Sequence, residues 1–331
     1  MYPKLFGLPL VNTYGVILVV GFLSAVFLMR KLARSAGENS DCVANAALYT
    51  LIAGVVGARA FYVIHNFSQF RGRLLSVFAT WQGGLELLGG VIVAIAVAFF
   101  YIRRNKQSVR VYFDIMAIGL MLGLAFGRIG CFCSGCCFGK PADTSISIRF
   151  PYASDAYRSQ VYPDPSRDRS QPHLKLPTEY FGYLGEDGQT WYPADEFNKY
   201  RAGLKPKELL TDQQRAEVTE GKFRCLPVLP MQFISSANAV LLCVILYFFW
   251  RGKFAKSRPG VTFALMCILY GVTRFMLEYL RDDNPFEYAW WIIYKGGTIS
   301  QNIGIYQAIL GIILLIIFAK IANRPLPKKD H

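Results

Sequence analysis

Long apolar runs separated by short polar breaks make up most of this chain. Apolar stretches of spanning length cover 12–30, 43–64, 83–102, 113–133, 232–250, 260–280 and 303–322. About 20 apolar residues in a helix cross the hydrocarbon core of a bilayer. The pattern predicts an all-α membrane protein with seven transmembrane helices, whose two ends lie on opposite sides of the lipid bilayer.

The polar breaks set the orientation. Fifteen lysines and arginines follow the first, third, fifth and seventh runs, among them Arg30, Arg103, Arg251 and Lys320. The opposite short segments hold five: Lys4, Arg71, Arg73, Arg281 and Lys295. Basic residues stay on the cytoplasmic side, which places the N-terminus outside and the C-terminus in the cytoplasm. The first run lacks a basic leader and a small-residue cleavage site, so it is expected to be the first helix and not a signal peptide.

One break differs from the rest. Residues 140–229 are polar and too long for a simple connection, and they are expected to form a small extracytoplasmic subdomain between helices 4 and 5. Its thirteen basic residues do not disturb the orientation, because long loops do not obey the charge rule. The chain thus divides into 1–139 with helices 1–4, the 140–229 insertion, and 230–331 with helices 5–7 and a cytoplasmic tail. Within the insertion, the YPDP and QPHLKLP stretches read as loop or short strand, and 205–221 as a helix.

Composition fits this picture. The chain is 53% hydrophobic, an excess that a water-soluble protein of 331 residues does not need. A net charge of +14 would suit nucleic acid, but the cations sit in clusters between apolar runs, so no nucleic-acid partner is expected.

Three arginines fall inside or at the ends of apolar runs: Arg59, Arg128 and Arg274. A charge at the bilayer centre costs about 2.5–3.5 kcal/mol on insertion scales, so it persists where it faces a protein-lined cavity or an anion. Glu278 lies four residues beyond Arg274 on the same helical face, and Arg281 three beyond that. The bland alternative is an internal Arg274–Glu278 pair that ties helices together. The planar guanidinium fork suits phosphate, which points to a lipid head group. Glycines punctuate the same regions: Gly83-Gly84 and Gly89-Gly90 at the third run, and Gly127, Gly130, Gly135 and Gly139 around Arg128. Around Arg128 the segment GRIGCFCSGCCFG leaves apolar character within one turn, which suits a re-entrant segment over a polar cavity.

Of eight cysteines, Cys131, Cys133, Cys136 and Cys137 crowd into seven residues, while Cys225 stands alone in the insertion. Structural thiols or a disulfide clamp, with Cys225 as a possible partner, are favoured over metal, because one tight run lacks the two separated pairs of usual zinc sites. No metal and no other cofactor is expected.

These residues together resemble the bacterial prolipoprotein diacylglyceryl transferase family. Gly127-Arg128-Ile129-Gly130 with Phe132 and Gly139 is similar to the family signature G-R-x-G-N-F-x-N-x-E-x-x-G. Asp114 with Gly123 resembles its lead-in, and Trp81-Gln82-Gly83-Gly84-Leu85 with Gly89-Gly90 resembles its W-x-G-G segment. Tyr14-Gly15, Gly57-Ala58-Arg59 with Tyr62, Pro230-Met231-Gln232, Tyr270-Gly271-Val272-Thr273-Arg274 with Glu278 and Arg281, and Ser300-Gln301 also fit, in order along all seven runs. Cys131, Ser134 and Cys136 depart from the signature's Asn, Asn and Glu, and Leu88 from a His or Tyr.

The resemblance implies a multi-pass enzyme of the bacterial inner membrane. It would transfer the diacylglyceryl group of phosphatidylglycerol to the lipobox cysteine of prolipoproteins, releasing glycerol 1-phosphate. Arg128, Arg274 and Tyr14 would be catalytic. Arg59, Gly83, Gly84, Gly89, Gly90, Gly139, Gln232, Tyr270, Glu278 and Arg281 would bind substrate, with Glu278 orienting an arginine. The alternative is a family-derived protein that binds anionic phospholipid with lost or altered transferase chemistry. A transporter would be expected to carry inverted repeats, and none is visible.

Overall fold

A computed structural model describes residues 13–70, 76–77, 84, 86–286, 288 and 291–321. The protein is mostly helical. In chain order the helices are α1 (Thr13–Ser35), α2 (Ser40–His65), α3 (Phe67–Phe70), α4 (Leu87–Arg104), α5 (Val109–Ser134), α6 (Asp155–Val161), α7 (Asp212–Thr219), α8 (Met231–Arg251), α9 (Lys253–Ser257), α10 (Val261–Glu278) and α11 (Ile299–Lys320). Among the described residues, α1, α2, α5, α8, α10 and α11 are long and apolar enough to cross a membrane. The 18-residue α4 lies on the third apolar run. Large apolar side chains point outward: Phe27 is 73% exposed, Phe100 67% and Phe248 65%. A bundle in water would bury these rings, whereas lipid accepts them. The protein is therefore a multi-pass membrane protein.

The chain forms two compact units. One comprises Met1–Gly21, Leu124–Leu241 and Ile268–Leu310; the other comprises Phe22–Gly123, Leu242–Cys267 and Gly311–His331.

In the second unit, glycines bring α2 and α4 together. A Cβ at Gly90 would meet the Gly54 carbonyl oxygen at 2.7 Å, and one at Gly89 would meet the Phe61 ring at 2.2 Å. Small residues let backbones approach where no solvent drives association. Asp114 on α5 accepts from the Gly260 and Phe263 amides, both at 2.7 Å, and so caps the start of α10.

In the first unit, α10 and α11 cross at Gly271 and Gly304, where a Cβ on either would lie 2.5 and 2.8 Å from the other's carbonyl oxygen. Ser236 on α8 donates to the Ala125 carbonyl on α5 at 3.0 Å. Tyr14 of α1 packs on Gly130 of α5, whose missing side chain leaves room for the ring.

The insertion belongs to this unit and has its own core, with Tyr157, Tyr180, Phe181 and Val228 fully buried. A three-stranded antiparallel sheet orders β2 (Trp191–Pro193), β1 (Phe181–Leu184) and β3 (Gly203–Leu204). Val228 bridges both Pro141 and Ile148, so the two ends of the insertion meet. The helix expected at 205–221 is shorter. It starts at Asp212 behind a Thr211–Gln214 capping box, after a 3-10 turn at Lys207–Leu209, because Pro206 and the cap residue Thr211 interrupt the pattern.

The segment after α10 is gripped by the insertion. Arg169 pairs with Asp282 at 2.9 Å and Arg167 with the same carboxylate at 3.5 Å. Arg167 also donates to the Arg281 carbonyl at 3.0 Å and lies over the Phe286 ring at 5.0 Å. Backbone bonds from Lys140 to Leu280 and from Phe286 to Ser166 complete the join.

Candidate active site

Two helices place guanidinium groups around one small cavity, and a third adds polar side chains. It is lined by Arg128 of α5, Ser235 and Asn238 of α8, and Tyr270 and Arg274 of α10, and it encloses about 20 Å³. That is room for about one water molecule. The close α10–α11 crossing lets Arg274 reach Ser300, its Nη2 donating to Oγ at 2.6 Å. Nη1 of Arg274 pairs with Glu278 at 2.8 Å, one helical turn on.

Glu278 is fully buried and organises its surroundings. It accepts from Thr298 at 3.0 Å and from Asn284, and it lies 3.9 Å from Arg281. Arg281 is fixed by Asp283, which takes its Nε at 2.8 Å and its Nη2 at 2.5 Å. Burial works against the Arg281 charge, but the Asp283 carboxylate wins and raises its hold on the proton. Glu278 thus lies between Arg274, Asn284 and Thr298.

Arg128 is different. Its Nη1 donates to the Cys137 sulfur at 3.4 Å, and it pairs with no carboxylate among the described residues. A guanidinium in a membrane helix that no carboxylate neutralises leaves a positive site for an anion.

The end of α5 departs from the re-entrant segment expected there. The helix runs unbroken past Arg128 to Ser134. Gly135, at φ +80°, then closes it in a Schellman turn, with the Gly135 amide on Phe132 at 3.2 Å and the Cys136 amide on Cys131 at 3.2 Å. That turn sets Cys136 back over Cys131. Cys137, also left-handed at φ +59°, folds in beside them. The three sulfurs lie within 4.8 Å of one another. Hydrogen bonds from Cys131 and Cys136, then the Arg281 and Arg128 charges, pull the Cys137 thiol well below its ordinary range.

None of the eight cysteines is in a disulfide. Cys225 is buried in the insertion core with its sulfur on Gln160 at 3.4 Å, so the pairing with the cluster that the sequence leaves open is not made.

Other sequence-selected residues support this geometry. Gln232 is fully buried and donates to the Cys136 carbonyl at 2.7 Å. Gly139 passes so close to the start of α8 that a Cβ would meet the Leu229 oxygen at 2.6 Å.

Arg59, in the second unit, has a carbonyl cage. It donates to Val77 at 2.7 Å, Ser76 at 2.7 Å and Gly84 at 3.0 Å, between the Tyr62 and Phe70 rings. Gly84 is left-handed at φ +75°, and Gly89 and Gly90 serve the α2–α4 contact. Gly83 lies outside the described residues.

The model of the prolipoprotein diacylglyceryl transferase family matches residues 3–317. The chain belongs to this family. It is 26% identical to the phosphatidylglycerol--prolipoprotein diacylglyceryl transferase of Rhodopirellula baltica, over 84% of this chain and 67% of that protein. The second such transferase of Clostridium perfringens is also 26% identical, over 85% of this chain and 82% of its own. The Thermotoga maritima transferase is 36% identical over 46% of this chain and 51% of its own.

Within the family frame, sequence reasoning passed over Asn238 as a cavity residue, Asn284 as a partner of Glu278 and Ser300 as a partner of Arg274. A signal existed for Asn238, an amide inside an apolar run. Asn284 and Ser300 sit in or beside connections, where polar residues are ordinary, and only the fold brings them to Arg274 and Glu278.

Proposed function

We propose that this protein transfers the diacylglyceryl group of phosphatidylglycerol to the cysteine thiol of a prolipoprotein lipobox. The reading takes seven spans, counting α4, an outside N-terminus and an extracytoplasmic insertion in a bacterial cytoplasmic membrane. The observation that carries it is Arg128, a membrane-helix cation without a carboxylate, facing the same cavity as Arg274 and Tyr270. Family membership supplies the reaction class.

The chemistry asks for charge stabilisation. The thiol sulfur attacks the glyceryl carbon, a C–S bond forms, and the C–O bond to phosphate breaks. The phosphodiester leaves as glycerol 1-phosphate, a monoester carrying a second negative charge, and the thiol proton goes to solvent or to that monoester. Guanidiniums fixed before the reaction stabilise the growing charge without reorganising. Arg274 is pre-set by Glu278 and Ser300, while Arg128 supplies the uncompensated positive charge. Tyr270 lines the cavity and Tyr14 packs on Gly130, two residues from Arg128, where each can donate to a head-group oxygen. A phosphodiester is larger than the enclosed space, so binding parts the two arginine side chains.

Reconstituted protein given labelled phosphatidylglycerol and a lipobox peptide tests this. Label should pass to the peptide thiol, and Arg128→Ala should lower the rate by about 10²–10³-fold. No transfer by the unmodified protein, or full transfer by the variant, overturns the proposal.

A second reading rests on Cys131, Ser134 and Cys136, which replace three polar groups of the family signature. In that reading anionic lipid binds but the acceptor chemistry is lost or altered. Competition by the lipobox peptide for the bound site separates the two.

A further inference from the structure

The transfer step proposed above routes no atom through the three sulfurs at the end of α5. We propose that Cys131, Cys136 and Cys137 form a three-thiolate site for a soft, thiophilic metal ion, and that monovalent copper is the ion it fits.

The sequence alone argues against metal, because four cysteines in one short run do not resemble two separated pairs. The fold removes that objection. A Schellman turn places the residue after its left-handed glycine against the residue five positions earlier, here Cys136 against Cys131. The left-handed Cys137 brings in the third sulfur. Cys133 is two residues from Cys131 on the helix, which puts it on another face, and it is not part of the group.

Geometry and charge select the ion. An ion about 2.3 Å from three coplanar sulfurs holds them about 4 Å apart. The observed limit of 4.8 Å closes to that with side-chain movements under an ångström. Thiolates favour soft ions such as Cu(I), Zn(II) and iron–sulfur iron. Zinc prefers four ligands. The nearby carboxylates are engaged elsewhere, Asp282 by Arg169 and Asp283 by Arg281, so three sulfurs remain, a number that Cu(I) accepts. Three thiolates and Cu(I) together carry a charge of minus two, and the Arg128 guanidinium sits beside the cluster, donating to the Cys137 sulfur at 3.4 Å. Loading replaces three S–H bonds by three Cu–S bonds and releases up to three protons, with no change in copper oxidation state.

An entry path exists. Cys136 and Cys137 line a cavity of about 340 Å³ whose wall also carries Asp155, Asp164 and the paired Arg169 and Asp282, so the sulfurs are reachable from outside the protein core.

The test uses full-length protein in nanodiscs under anaerobic conditions, loaded with Cu(I) against a chromogenic Cu(I) chelator. One copper per chain should be retained, with sulfur-only coordination by X-ray absorption. Cys131→Ser, Cys136→Ser and Cys137→Ser should each weaken retention by more than about 100-fold, whereas Cys133→Ser and Cys225→Ser should not. Arg128→Gln should weaken it by about 10-fold, as outer partners of metal ligands do. Absence of retained copper, retention undiminished by the three serine variants, or preferential retention of zinc overturns the proposal. So does recovery of a disulfide among the three cysteines when membranes are alkylated before lysis. None of these readouts depends on lipid transfer, so the metal site and the proposed activity stand or fall separately.

Discussion

Arg59 and Arg128 are the same residue in similar apolar helices, yet they have opposite surroundings. Arg59 is enclosed by three carbonyl oxygens and two aromatic rings. Arg128 has a thiol and a small cavity. A cage of backbone acceptors engages all three nitrogens of the guanidinium fork and ties down the chain that supplies them, whereas a single weak acceptor leaves the fork open to a ligand. A charge in a membrane helix therefore points to function only when its donors are still unassigned.

The largest effect should come from Glu278. Glu278→Ala strands the Arg274 charge, and breaking a buried pair from one side costs about 3–5 kcal/mol. The variant should melt several degrees lower in detergent. An unchanged melting temperature would mean that Arg274 is solvated and that the ordered cluster described above is wrong.

Next comes the contrast itself. Arg128→Ala should lower transfer by about 10²–10³-fold, the usual loss of one transition-state donor, and leave melting nearly unchanged. Arg59→Ala should do the reverse, lowering the melting temperature while each folded molecule keeps most of its activity. If the two variants exchange these phenotypes, the cage argument fails.

Gly304→Leu sharpens the comparison by acting at a distance. Overpacking of this kind costs about 1–3 kcal/mol. Forcing α10 from α11 also separates Ser300 from Arg274, so transfer should fall more steeply than stability. Equal losses would show that Ser300 does not position the arginine.

The smallest effect concerns His173, which lies 3.6 Å from Asp282. Burial and the neighbouring Arg169 hold it below the ordinary histidine range despite that carboxylate. The unfolded chain then takes up the proton first. Stability is full above about pH 6.5 and declines as pH falls toward the folded-state value. Melting temperatures between pH 7 and 5 should show this slope, and His173→Gln should flatten it. A slope that survives the substitution would assign it to another group.

Much of this was legible in the chain. Each of the seven apolar runs contains a helix, and among the described residues six of these are long and apolar enough to span, since length and hydropathy report directly on burial in lipid. Arg128, Arg274, Tyr270, Glu278 and Arg281 fall in one region because periodicity places them on facing turns. The end of α5 was not legible. Falling hydropathy after Gly130 suggested an early exit from the helix, but hydrogen bonding and the Tyr14 contact carry it on to Ser134. The convergence of the cysteines depends on two left-handed residues, and Cys137 in that conformation carries no sequence signal. The carbonyls around Arg59 come from a loop up to 25 residues away, beyond the reach of any local pattern.

The grip of Arg167 and Arg169 on the stretch following α10 has a practical meaning for anyone trimming this molecule. Excising 140–229 would leave the Asp282 carboxylate and the Arg281 carbonyl without the partners that now hold them. The stretch that carries Arg281 and Asn284 would lose its outer support. A shortened version will keep its architecture only if something else is supplied to clasp that stretch. The added module is part of the scaffold, not an ornament on it.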